Sequence, residues 1–344
     1  MSQKNLNVSN KTHRNLLNNL RDERIDQIYR KFEKIFKLNQ DFIVGVSGGS
    51  DSLALCFLTK IYSIKKSLNV HYYIVDHGLR KNSSDEAQLV KNLLKSHKIK
   101  LDILKWYGKK PISNIQSLAR NKRYSLLIHQ AKKFNIKNIL TGHHIDDFYE
   151  NFFIRLSRGS GLKGLVSFGK KTYRDKVNIL RPLIIFEKKY LDYVTKKVFK
   201  SYVKDPSNED NKFKRVRIRK LIKNLQNDGL DKNKFLLTIK NLTDSNDTIK
   251  FYVAKNLKDN SYVFKDKRKI ILNEEFFNQP HEVAFRSLTE IVKFVGKKYY
   301  SVRGKKVDNI INKLKEETRI PLKLTLGNCV ISKVNQSIIV VKEH

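Results

Sequence analysis

Residues 41–52 read Asp-Phe-Ile-Val-Gly-Val-Ser-Gly-Gly-Ser-Asp-Ser, and no other stretch restricts the fold so sharply. An apolar, β-leaning run breaks at Gly48 and Gly49. It then passes into Leu53–Leu58, whose pattern predicts a helix. A strand that turns on two glycines into a helix aims unpaired backbone N–H groups and the positive end of the helix dipole over the turn. Such a corner suits an anion, phosphate above all. Glycine accepts φ > 0 and lets the backbone close on the ligand. Ser47, Ser50 and Ser52 add hydroxyls. No Gly-Lys-Ser/Thr follows, so the loop is not of the Walker A type, and its spacing is not that of the dinucleotide fingerprint. Asp51 sets an acid beside the expected anion, which calls for a bridging cation such as Mg²⁺. An ordinary strand–turn–helix junction with capping serines accounts for a lone Gly-Gly, but less well for the full string.

From Asp41 onward the pattern alternates. Strands are predicted at 42–46, 70–75, 100–105, 138–141 and near 177–181. Helices are predicted at 25–38, 52–65, 84–97, 113–134, 145–157 and about 187–200. This rhythm implies an α/β fold with a doubly wound, mainly parallel sheet. Ligands of such sheets bind beyond the carboxyl ends of the strands. Three unusual strings fall at such ends: Ser47–Ser52, Asp76–Arg80 and Gly142–Asp147. Past about residue 226 the texture changes, with helices expected at 281–296 and 304–316 and short strands in 321–342. A second, smaller α+β domain is expected there. Residues 1–24 are polar and basic and are expected to form a mobile N-terminal extension.

The chain carries 71 Lys and Arg against 33 Asp and Glu, a formal net charge of +38. That excess favours a polyanionic partner, nucleic acid first. Lysine-rich codon bias would also inflate the total, so local arginine clusters count for more. No run approaches the apolar length of a membrane span, and a soluble cytoplasmic protein with no membrane partner is expected. Cys56 and Cys329 are the two cysteines, too few for a disulfide framework or a Cys-x-x-Cys metal pair.

Four further strings could carry chemistry. In Asp76-His77-Gly78-Leu79-Arg80, the acid could hold a hydroxyl and the backbone could meet an adenine edge, or the string is simple turn chemistry. In Gly142–Asn151, a helix starting near Ile145 puts Asp147 and Glu150 on one face. There they could hold an ammonium group or Mg²⁺, or merely form a charged helix start. His143 and His144 invite zinc, but adjacent side chains need not converge and the cysteines are too few. Arg158–Gly164 offers Arg158 and Lys163 to phosphate on a glycine-rich turn. Asp205-Pro206-Ser207-Asn208 reads as a turn before an acid-free basic run, where Arg215 and Arg219 share a helical face.

In this order, and with Ala119-Arg120-Asn121-Lys122-Arg123-Tyr124 and Arg181-Pro182-Leu183, the strings resemble the tRNA(Ile)-lysidine synthetases, a family of the N-type (PP-loop) ATP pyrophosphatases. The likeness is strong over about 40–225 and loose beyond. It implies an ATP pyrophosphatase domain at 25–226 and a tRNA-binding domain at 227–344. The implied reaction ligates L-lysine to C2 of the wobble cytidine of a tRNA(Ile) with a CAU anticodon, through an adenylated cytidine, with release of AMP and pyrophosphate. ATP would meet Ser47, Gly48, Gly49, Ser50, Asp51, Ser52, Asp76, His77 and Gly142, with Asp51 acting through Mg²⁺. Asp147 and Glu150 would bind lysine and serve catalysis with Asp51 and Arg215. Arg120, Arg123, Arg158, Lys163, Arg215 and Arg219 would hold tRNA. A homodimer stays open. The family often has Gln and Thr where this chain has Phe148 and Asn151, while both acids are kept. The alternatives are a tRNA thiolase of the same superfamily and a non-catalytic basic RNA-binding protein.

Overall fold

The computed structural model describes residues 13–80, 82–108, 113, 115–203, 214–264, 269–297, 302, 304–315 and 322–343. The chain divides into two compact units, Met1–Leu230 and Asp231–His344.

The first unit is built on a six-stranded sheet of order β3-β2-β1-β4-β6-β5. Its strands are β1 (Phe42–Val46), β2 (Val70–Asp76), β3 (Leu101–Lys105), β4 (Asn138–Thr141), β5 (Lys171–Arg174) and β6 (Val177–Leu180). All neighbours pair in parallel except β5, which returns antiparallel on β6 at the edge. The alternation predicts every parallel strand. It misses β5, whose exposed Lys171 and Tyr173 leave no apolar face to read.

Both faces of the sheet are covered, and β1 shows why. Phe42, Val44 and Val46 enter one core with α1 (Glu23–Ile35), α2 (Ser50–Lys66) and α6 (Lys188–Phe199). Ile43, between them, enters the other core with Tyr124, Leu127 and Ile128 of α4 (Ile115–Lys133). Side chains alternate across a strand, so a strand buried on both faces must be apolar throughout. α3 (Ser83–Ser96), α5 (Ile145–Leu156) and α7 (Lys214–Asn227) complete the unit, with α7 packed on α5. The strand order turns back between β1 and β4. Their adjacent carboxyl ends therefore open the crevice in which such sheets bind ligands.

Residues 13–24, expected within a mobile arm, are folded onto this unit. Leu16 is buried in its main core. Asp22 caps α1 through the Ile25 N–H at 3.1 Å and accepts from the Tyr193 hydroxyl at 2.8 Å. The Arg24 guanidinium lies 4.3 Å from the centre of the Tyr193 ring. Single long-range anchors of this kind leave no periodic trace in sequence.

The second unit contains α8 (Lys232–Asp259), α9 (His281–Gly296) and α10 (Gly304–Lys315) with an antiparallel sheet of order β7-β8-β11-β10-β9. The strands are β7 (Ser261–Val263), β8 (Lys269–Leu272), β9 (Lys323–Leu326), β10 (Cys329–Val334) and β11 (Ser337–Lys342). Leu272, Phe276, Leu288, Val292, Val307, Ile331 and Val340 form its core. The helix α8 escapes sequence reading because it buries only a thin stripe: Phe235, Ile239, Asn246, Val253 and Asn256.

Candidate active site

The loop after β1 is held by its own hydroxyls. Ser52 Oγ accepts from the Ser47 N–H at 3.2 Å and donates to the Gly49 carbonyl at 2.9 Å. Ser47 Oγ bonds Ser52 Oγ at 3.2 Å. Ser52 therefore shapes the loop rather than facing a ligand. Gly48 takes φ +85, and a Cβ there would lie 2.7 Å from Val90 Cγ2, so this position admits only glycine without strain. Gly49 precedes α2 in extended conformation. The N–H groups of Gly49, Ser50 and Asp51 have no acceptor among the described residues. Ser47 is exposed and Gly49 half-buried, so the corner is open to a ligand.

The end of β4 closes on this loop. A Cβ at Gly142 would stand 3.0 Å from the Ser52 Cα and N, all backbone. His144 then caps α5. Its Nδ1 accepts the Asp146 N–H at 3.2 Å, while the Asp147 carboxylate accepts the His144 N–H at 3.0 Å. His144 Nε2 lies 3.5 Å from Asp51 Oδ2 and 3.7 Å from Asp147 Oδ2. One imidazole thus spans the loop acid and Asp147 in the first turn of α5. Burial would lower its pKa, but Asp146, Asp51 and Asp147 push it up to about 10. These two observations oppose each other: a pKa near 10 calls for a proton on each nitrogen, whereas the Asp146 N–H, fixed by the helix, needs the Nδ1 lone pair. The cap geometry decides for one proton, on Nε2 toward Asp51, and the carboxylates' pull is toward a second proton that would break the cap. Asp51 Oδ2 also meets Lys188 Nζ at 3.5 Å. Burial raises the Asp51 pKa, yet His144 and Lys188 outweigh it and the group stays below its ordinary value. Asp51 Oδ1 is buried without a hydrogen-bond partner among the described residues. That oxygen fits a divalent cation, which prefers an anionic oxygen ligand.

Glu150 lies one turn along α5, nearly buried, and pairs with Arg219 of α7 through Arg219 Nε and, at 3.4 Å, through Nη2. Burial raises its pKa, Arg219 opposes this and Asp147 adds to it, leaving it above its ordinary value. Arg215, four residues earlier on α7, is exposed.

On the other side of β4's end, Arg120 Nη1 reaches His143 Nε2 at 3.5 Å, and His143 Nδ1 bonds Thr141 Oγ1 at 2.8 Å. A guanidinium only donates, so Nε2 accepts and the ring is neutral. Burial and the charges of Arg120, Arg181, Arg215 and Arg123 hold His143 well below its ordinary pKa. Arg123 Nη2 reaches His77 Nε2 at 3.5 Å. Arg181 is buried, donates to the Gly169 carbonyl at 2.9 Å and lies 4.5 Å from the centre of the Phe168 ring. Phe148, the departure from the family pattern, packs by Phe168. Asn151 Nδ2 is buried without a partner among the described residues.

Some expected residues stand apart. Asp76 is saturated locally: it accepts from Gly78 N–H at 2.9 Å, Ser83 Oγ at 2.8 Å and Ser84 Oγ at 2.6 Å. Its carboxylate organises the turn into α3. Arg158 and Lys163 are exposed on and just past the turn after α5. Asp205–Asn208, Lys212 and Phe213 lie outside the described residues. Lys188, Arg181 and the bridging part of His144 are absent from the sequence reading; only the order Arg-Pro-Leu hinted at Arg181. A cavity of about 890 Å³ lined by Lys60, His71, Lys100, Phe134, Asn135 and Lys137 sits at the amino ends of the strands, opposite the loop, and contains none of these residues.

Comparison with known proteins bears on the fold and the family. Residues 18–225 match the PP-loop domain family. The tRNA(Ile)-lysidine synthase of Wolbachia sp. subsp. Brugia malayi is 32% identical over 311 residues, covering 89% of this chain and 71% of that protein. The enzyme of the same name from Orientia tsutsugamushi is 32% identical over 320 residues, covering 90% and 71%. Among solved structures, the U34-tRNA thiolase NcsA from Methanococcus maripaludis with its [4Fe-4S] cluster superposes with a TM-score of 0.56 at 18% identity, over 64% of this chain and 79% of that one, a likeness of fold. The chain belongs to the tRNA(Ile)-lysidine synthase family and carries that family's PP-loop domain in its first unit.

Proposed function

We propose that this chain ligates L-lysine to C2 of the wobble cytidine of a tRNA(Ile) with a CAU anticodon, at the expense of ATP. One observation carries the reading: His144 touches both Asp51 of the loop and Asp147, so a triphosphate on the loop and an amine at the Asp147–Glu150 pair would be neighbours. Holding the reactants side by side is worth much of the rate.

In the first step the cytidine O2 attacks the α-phosphorus. The O2–P bond forms, the bond to the β-phosphate oxygen breaks, and pyrophosphate leaves with the electron pair. The free N–H groups of Gly49, Ser50 and Asp51 would receive the phosphates. Mg²⁺ at Asp51 Oδ1 would neutralise phosphate charge. In the second step the lysine amine attacks C2 and AMP leaves with the former O2. An ammonium must first lose a proton, and Glu150, whose pKa lies above its ordinary value, would accept it. Asp147 would orient the amine. Arg120, Arg123 and Arg215, whose charges converge near His143, would hold the phosphates around the extruded cytidine. Arg158, Lys163 and the second unit would extend the tRNA contact.

The thiolase alternative has less support. Cys56 and Cys329 are both fully buried and belong to different units. The test uses purified protein, tRNA transcript, ATP and radiolabelled lysine. Label on the RNA matched by AMP is the expected result. AMP formed without label on RNA would sink the lysine assignment.

A further inference from the structure

Lys188 opens α6 directly after the N-cap Glu187. Its backbone N–H donates to Asp146 Oδ2 at 3.4 Å, and its Nζ stands 3.5 Å from Asp51 Oδ2. The same helix grips the loop a second time, since Thr195 Oγ1 donates to the Ser50 carbonyl at 2.7 Å. Lys188, Leu191 and Thr195 are spaced i, i+3 and i+7 and so share a face. Leu191 and Thr195 are fully buried on it. The root of Lys188 is therefore fixed by a packed helix, while its side chain remains 53% exposed at the mouth of the loop.

Among the described residues, charge at that mouth is otherwise acidic: Asp51, Asp146 and Asp147 cluster around His144. Arg219 is engaged by Glu150, and Arg120 and Arg123 reach the histidines His143 and His77 instead. A triphosphate arriving on free N–H groups would bring several negative charges to this place. Among the described residues, Lys188 is the ammonium that reaches the first turn of the loop helix, and 3.5 Å is a loose pairing that a phosphate oxygen can replace.

We propose that Lys188 is a catalytic residue that binds the β- and γ-phosphates of ATP. It leaves Asp51 for them on binding and stabilises the charge that collects on pyrophosphate as the bond to the α-phosphorus breaks. The inference rests on the ATP-dependent reading above and names one residue that carries it out.

The test is equilibrium binding by calorimetry with the full chain and Mg²⁺, using ATP, AMP and inorganic pyrophosphate as probes of wild type, Lys188→Ala, Lys188→Gln and Lys188→Arg. Loss of one charge-assisted contact predicts ATP and pyrophosphate affinities about 10- to 100-fold weaker in the alanine and glutamine variants. AMP, which lacks the contacted phosphates, should bind within about twofold of wild type, and the arginine variant should recover most of the loss. Unchanged ATP and pyrophosphate binding in both neutral variants overturns the proposal. So does a loss for AMP as large as that for ATP, which would mark damage to the scaffold. Wild-type protein that binds neither ATP nor pyrophosphate would instead bring down the parent reading, and this inference with it.

Discussion

Replacing Glu150 by glutamine separates a residue's structural cost from its chemical use. The Glu150 side chain is 5% exposed and that of its partner Arg219 is 42% exposed. Burial lifts the carboxyl above its ordinary pKa despite Arg219. For an acid raised on folding, stability is fully present below the unfolded value, near pH 4.3, and is lost as pH rises through the folded value. The native carboxylate is thus a net burden at neutral pH. Glu150→Gln keeps the shape, removes the charge and lets Arg219 turn to water. Its unfolding free energy at pH 7.5 should lie within about 1 kcal/mol of wild type or above it, with the gap closing below about pH 4.3. Arg219→Ala does the opposite and strands the carboxylate. Breaking a fully buried pair costs about 3–5 kcal/mol. Arg219 is already partly in water and Glu150 can take up a proton, so about 1–2 kcal/mol is expected.

Urea unfolding of the two variants at about pH 4 and pH 7.5 gives the energies, and lysine-dependent AMP formation gives the chemistry. Glu150→Gln should lose lysine transfer by about 100-fold or more, the usual worth of a positioned proton acceptor. If it unfolds as readily as Arg219→Ala, the burial argument is wrong. If it is folded and transfers lysine at the wild-type rate, Glu150 is not in the site.

Three more perturbations probe other parts. Gly142→Ala presses a methyl against the Ser52 and Asp51 backbone, so overpacking of about 1–3 kcal/mol should appear as a higher KM for ATP; an unchanged KM would show that the loop yields freely. Asp76→Asn breaks a three-donor carboxylate and should cost about 1–3 kcal/mol in urea unfolding. Burial raises the Asp76 pKa, but Ser84, Ser83 and Gly78 lower it more, so its stabilisation is present above about pH 3.9 and fades below; a deficit that persists in acid would contradict this. Affinity for tRNA should fall steeply with salt as phosphate contacts release counterions, and a flat salt titration would count against the basic surface.

The legible part of this molecule was whatever repeats or needs a special backbone. Strand β1 announced itself because both its faces are buried, and Gly48 because only glycine accepts φ +85 beside Val90. Contacts made across the fold left no such mark. Nothing in the sequence says that Lys188, 137 residues from Asp51, meets it, or that Asp76 spends its carboxylate on Ser83 and Ser84. Glu150 and Arg219 were both singled out, but for separate tasks, and their pairing emerges only when α7 packs on α5.

The adjacent histidines at the end of β4 show how one short segment can serve two opposed needs. The enzyme proposed here must hold a cationic amine and polyanionic phosphates within one site, and a single uniform field would repel one of them. His144 is extended at φ −121, ψ −174, and side chains alternate along extended backbone. His143 therefore faces Arg120 while His144 faces Asp51, Asp146 and Asp147. The same side chain is driven well below its ordinary pKa at one position and raised at the next. A metal chelated by the pair would have to pull one ring out of its field, which is the physical reason to reject zinc that the cysteine count could only suggest. The strand end is thus a partition: arginines gather on one side, carboxylates on the other, and Gly142 brings both against the loop where the triphosphate would lie.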